Sequence, residues 1–167
     1  MPSRKRSVLL ACLLVEHGAD TTTQDNRKCT PLHLATGNGI MDLARLLIKH
    51  GVDTATRDSC RSNPLHLAAK NGSMSLARLI EHGADAITQD NHGLTPLYLA
   101  VENGSMDLAR VLVEHGADVA AQKKGVSPQL HLVCRLKGVD IPRLLVEHGA
   151  NAATWGNHGS IPLHKAS

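Results

Sequence analysis

Residues 90–122 read DNHGLTPLYLAVENGSMDLARVLVEHGADVAAQ. Asp90-Asn91-His92-Gly93 is a turn signal: polar residues that tolerate left-handed backbone, then a glycine free to adopt it. Thr95-Pro96 predicts a helix start. Thr caps the first turn, and Pro at the next position loses only an N–H that the helix would leave orphaned. Leu97, Leu99, Ala100 and Val101 give this helix a short apolar face, and Asn103-Gly104 stops it. A second helix is expected from about Asp107, whose carboxylate sits at the positive dipole end. Leu108, Ala109, Val111, Leu112 and Val113 form its wider apolar face, and His115-Gly116 closes it. The unit is turn, short helix, turn, longer helix. Alone, it would leave both apolar faces in water.

The unit recurs along the chain. His-Gly stands at 17-18, 50-51, 82-83, 115-116 and 148-149, at steps of 33, 32, 33 and 33. The helix-opening Pro stands at 31, 64, 96, 128 and 162, at steps of 33, 32, 32 and 34. Around it lie Thr30-Pro31-Leu32-His33-Leu34-Ala35, Asn63-Pro64-Leu65-His66-Leu67-Ala68 and Thr95-Pro96-Leu97-Tyr98-Leu99-Ala100, joined by Gly-Ala-Asp at 18–20, 83–85 and 116–118. In these motifs and this period the chain resembles the ankyrin-repeat family over nearly its whole length. The resemblance implies an all-α solenoid, a right-handed stack of about four to five turn–helix–turn–helix repeats, incomplete at both ends. Residues 1–167 then form a single array. It comprises a second helix alone (1–23), repeats at 24–56, 57–89 (a residue short in its second helix) and 90–122, an irregular repeat (123–154) and a truncated one (155–167).

The composition agrees with a thin stack. Hydrophobic residues make up 42% of the 167, but aromatics only 1%; Leu, Ala, Val and Ile can fill a stack of short helices without large rings. The shortage of rings and the formal charge of only +3 disfavour a nucleic-acid surface. Cys12, Cys29, Cys60 and Cys134 share no repeat position and form no C-x-x-C, so the expectation is reduced thiols in the cytoplasm or nucleus.

At the N-terminus, basic residues 4–6 and the apolar run 8–15 imitate a secretory signal, but the run meets Glu16-His17 instead of a small-residue cleavage site. Aligned on His-Gly it matches residues 41–49, a second helix. Arg4-Lys5-Arg6 before it could be read as a nuclear-import cluster, but three basic residues ahead of a helix are more often a solvated start. Leu9, Leu10, Leu13 and Leu14 then lack an upstream partner, which points to a piece of a longer array, a truncated gene product or fraying ends. Residues 76–81 form a second helix one residue shorter than 43–49, and its last turn is expected to shorten or distort. In 123–154, Pro142 is tolerated if the helix starts at about Asp140.

No motif carries catalytic chemistry. Nine histidines fall into two repeating classes: His33, His66, His131 and His164 after Pro-Leu or its equivalent, and His17, His50, His82, His115 and His148 before Gly. Repetition in every unit marks a structural role, not metal binding; His92 and His158 sit at turn tips. Asp20, Asp53, Asp85, Asp118 and Asn151 form a series of turn residues. No phosphate loop, nucleophile elbow or paired carboxylate is found, so no enzyme, cofactor, metal or small-molecule substrate is expected. Some family members are hydroxylated on an Asn two residues after the Gly-Ala-Asp aspartate. Those positions hold Thr22, Ala55, Ile87, Ala120 and Ala153, so that modification is not expected.

The resemblance further implies a protein–protein interaction module that grips its partner with the turn tips and the concave face of the first helices. The matching tip residues are Asn26, Arg27, Cys29, Arg57, Ser59, Cys60, Arg61, Asn91, His92, Leu94, Lys123 and Lys124. On the first helices they are Lys70, Glu102 and Arg135, with Gly37 in the same series. Arg27, Lys28, Arg57, Arg61, Lys123 and Lys124 form a basic line suited to an acidic protein partner; solvated charge that merely aids solubility is the plainer reading. A spacer segment of a longer protein and a weak nucleic-acid binder are the alternatives. The chain is expected to be a monomer without a membrane role. Amide hydrogen exchange should be faster in residues 1–16 and 155–167 than in 90–122; equal protection at the ends and the middle would refute fraying.

Overall fold

The computed structural model describes residues 2–72, 76–121, 133, 140–153 and 161–162. Every regular element among them is a helix: α1 (Pro2–Glu16), α2 (Pro31–Gly37), α3 (Met41–Lys49), α4 (Pro64–Lys70), α5 (Leu76–Glu81), α6 (Pro96–Glu102), α7 (Met106–Glu114) and α8 (Asp140–Glu147). Two compact units are distinguished, Met1–Asp85 and Ala86–Ser167. In the first, α2 packs on both α3 and α4, α1 packs on α3, and α4 packs on α5. In the second, α7 packs on α6 and on α8.

The first helices are seven residues long and begin where the sequence predicts. Thr30, Asn63 and Thr95 hold extended backbone as N-caps, each accepting a hydrogen bond from the backbone N–H three residues on, with Pro next in line. So short a helix is marginal in water, and burial stabilises it. Leu32, Leu65 and Leu97 are fully buried. In the second helices the buried residues fall at i, i+3 and i+4: Ala44, Leu47 and Ile48 in α3, and Leu108, Ala109, Leu112 and Val113 in α7.

All five His-Gly pairs end their helices in the same way. The glycine N–H bonds the carbonyl three residues back, and the next N–H bonds the carbonyl five back, as in Gly116 to Val113 (3.0 Å) and Ala117 to Leu112 (2.9 Å). A Cβ on these glycines would meet nothing within 4 Å. Their φ values of +74° to +94° are what demand glycine there.

Three local expectations have clear outcomes. α5 closes through the same pair, Gly83 to Ile80 and Ala84 to Leu79, both 2.9 Å, so its last turn is not distorted. Arg4-Lys5-Arg6 do not precede α1 but lie within it, because the helix runs back to Pro2. Pro142 falls in the first turn of α8, where its missing N–H has no intrahelical carbonyl to lose. Ser127-Pro128-Gln129 and the turn at 156–159 lie outside the described residues.

The tips show one backbone compromise. Gly93 adopts φ +72° at the fourth tip position, and Lys28 and Arg61 adopt +58° and +60° at the same position. For an L-residue this costs on the order of 1 kcal/mol. Lys28→Gly and Arg61→Gly should therefore raise unfolding free energy, each by up to about 1 kcal/mol, since glycine's greater unfolded-state freedom cancels part of the gain; denaturant titration reads it.

Candidate functional site

Each tip is built around one carboxylate. Asp25 Oδ1 accepts the N–H groups of Arg27 (2.8 Å) and Cys29 (2.9 Å), Asp58 Oδ1 those of Cys60 and Ser62 (both 2.8 Å), and Asp90 Oδ1 those of His92 (2.8 Å) and Leu94 (2.9 Å). The aspartate backbone closes the loop: Asp25 N donates to Cys29 O (3.0 Å), and Lys28 N donates to Asp25 O (2.8 Å), with equivalents at 58–62 and 90–94. The sequence marks these aspartates as turn residues, five positions before Thr30, Asn63 and Thr95, but does not reveal the bonds of their carboxylates. Charged acceptors make the tip stiff, because each bond to an ionised group is stronger than a neutral one.

Within the first unit the two tips are joined. Ser59 N donates to Arg27 O at 2.8 Å. Cys29 Sγ lies 3.9 Å from the same oxygen. Beneath them His33 connects one repeat to the next: its Nδ1 accepts from Thr30 N (3.2 Å), so Nε2 carries the proton and donates to Ser62 O (3.1 Å). Burial holds the His33 imidazole below its ordinary pKa. Asn63 Nδ2 donates to Asp85 O (3.1 Å) and Thr54 Oγ1 to His82 O (3.0 Å), and Asn71 Nδ2 bonds Gly37 O. Burial, then the charges of Asp25 and Asp58, raise the Cys29 thiol pKa, which keeps it protonated.

On this frame Asn26, Arg27, Arg57, Ser59, Cys60 and Arg61 are exposed and Cys29 is half-buried, all at two adjoining tips. Asn91 and His92 are exposed and Leu94 half-buried at the tip of the second unit. Lys70 and Glu102 are exposed at the far ends of α4 and α6, about 9 Å along each helix from its opening Pro. Lys123, Lys124 and Arg135 lie outside the described residues, as do His131, His158 and His164. Arg27, Lys28, Arg57 and Arg61 form no ion pair among the described residues, where the one salt bridge is Arg143–Glu147 at 2.7 Å.

The other repeated residues have local structural roles. His115 and His148 donate from Nδ1 to Val111 O (2.8 Å) and Leu144 O (2.9 Å), carbonyls that also accept the backbone N–H of the same histidine (both 3.1 Å), so each oxygen in the last turn takes two bonds. Asp20, Asp53, Asp118 and Asn151 each accept, at 2.8 Å, the N–H two residues on. Among the described residues there is no cluster of three His, Cys, Asp or Glu able to hold a metal ion. No described helix is long and apolar enough to cross a membrane.

A stack of capped seven-residue helices with bonded tips defines a class, and comparison with known families gives the same one. The family model described as ankyrin repeats (3 copies) matches residues 4–86 and 53–123, well over half of the chain. The chain belongs to the ankyrin-repeat family and has its all-α solenoid fold. Ankyrin repeats are generally protein–protein interaction modules and typically non-catalytic. No match to a curated protein was found.

The neutral His33 gives a pH prediction. The folded-state pKa is lowered, so the unfolded chain binds more protons as pH falls below the ordinary 6.5. The stability held above that value should then be lost until the folded-state pKa is reached. His33→Gln, which retains a donor but does not titrate, should show a shallower fall between pH 7 and 5; equal slopes by thermal unfolding would refute the assignment.

Proposed function

We propose that this chain is a non-catalytic binding module whose basic tips dock an acidic stretch of a protein partner. The observation behind this is the tip pair of the first unit: four exposed cations, Arg27, Lys28, Arg57 and Arg61, on two stiff loops hydrogen-bonded to each other. They have no ion-pair partner among the described residues, so their charge remains available to a ligand. Asn26, Ser59 and Cys60 add polar contacts beside them, and Cys29 lies at the join. The reading extends to Asn91, His92, Leu94, Lys123 and Lys124 at further tips, and to Lys70, Glu102 and Arg135 on the first helices, with repeats divided at 24–56, 57–89 and 90–122. The free thiols of Cys12, Cys29 and Cys60 fit the cytoplasm or nucleus.

The backbone cost at Lys28 and Arg61 favours binding over plain solubility. A solubilising charge could sit at any exposed position, whereas these two sit where glycine would be easier. Arg27→Glu with Arg61→Glu should weaken binding of a glutamate-rich peptide at least about tenfold, or 1.4 kcal/mol, with the helical circular dichroism unchanged. Unchanged affinity would refute the tip surface. Tighter binding of a single-stranded oligonucleotide than of the peptide, with a steep salt slope, would make nucleic acid the ligand.

A further inference from the structure

α1 has apolar side chains on both of its sides. At roughly 100° per residue, Val8, Ala11, Cys12 and Val15 share one arc. Val15 is buried, the other three are half-buried, and the helix packs on α3. Leu9, Leu10, Leu13 and Leu14 fall on the opposite arc and are 72%, 56%, 49% and 53% exposed. A helix that is apolar all round is normally a buried one. The charges of α1 also oppose its own dipole. Lys5 and Arg6 lie towards the positive end and Glu16 at the negative end, with no acidic residue in the first turn and no basic residue in the last.

We propose that α1 is the contact helix of an antiparallel homodimer. Pairing about the midpoint between Ala11 and Cys12 sets Leu9 against the partner's Leu14 and Leu10 against the partner's Leu13. Lys5 and Glu16 border the leucine stripe on the same edge, within roughly 20° of each other around the helix. Antiparallel helices bring like edges together, so Lys5 of each copy meets the partner's Glu16. The two dipoles then oppose, and the end of each helix that its own charges disfavour gains the partner's compensating charge. A second copy in this orientation therefore answers the exposed leucines and the charges of Lys5 and Glu16 at once, with the same surface used on each side. Four leucines per copy are few against the roughly 20–30 residues a side of a lasting interface, so the dimer is a weak one that forms with concentration. The monomer expected from the sequence is its dilute form.

Sedimentation equilibrium of the full chain from about 1 to 300 µM tests this. The average mass should rise from near that of one chain towards that of two over that range. Leu10→Glu with Leu13→Glu should abolish the rise. Lys5→Glu and Glu16→Lys should each weaken association at least about tenfold, and the two together should restore it. The single charge variants change exposed residues, and retained far-UV circular dichroism shows that they fold. A monomer at every concentration would overturn the proposal. So would association indifferent to the charge exchange, or leucine-dependent binding of the monomer to phosphatidylserine–phosphatidylcholine vesicles. None of these variants touches the tips, so the outcome is independent of the docking surface above.

Discussion

A seven-residue helix closes too few of its own hydrogen bonds to persist in water, and α2, α4 and α6 are all of that length. Their persistence rests on leucines buried against neighbours: Leu32 and Leu65 in the first unit, Leu97 in the second. The frame around those leucines has one job, which is to bring short helices to the stack already started. Thr30, Asn63 and Thr95 start them, Pro sets the first φ, and the His-Gly closures turn the chain back with the same two hydrogen bonds each time.

Most of this frame was legible because it depends on local chemistry. A capping residue before Pro and a glycine after His leave marks in sequence that survive from one repeat to the next. Asn63 caps where Thr stands elsewhere, and its amide also reaches Asp85 O, a partner that spacing alone could not supply. The continuation of α1 through Arg4-Lys5-Arg6 was not legible. A basic cluster at the positive end of a helix opposes the dipole, so local reasoning places the start later. The short α5 misled in the opposite way: a deletion suggests a damaged end, yet the closure at 79–84 keeps its geometry.

The candidate site was legible as a set of positions but not as an object. Arg27, Ser59 and Cys60 could be placed at tips by counting from Pro. That Arg27 O would receive Ser59 N–H follows only from the approach of two repeats in space. Asp25, Asp58 and Asp90 read only as turn residues, because a turn aspartate is common and its bonds two and four residues ahead leave no further trace in sequence.

The bond from Ser59 to Arg27 has a consequence for any ligand broad enough to span both loops. Two loops moving separately would present the second contact at a shifting distance, and part of the attraction would be spent in fixing it. Loops tied backbone to backbone at 2.8 Å hold a constant separation. Once a first contact forms, the second is met at high effective concentration, so for the acidic partner proposed above selectivity would follow the spacing of its negative charges more than their number.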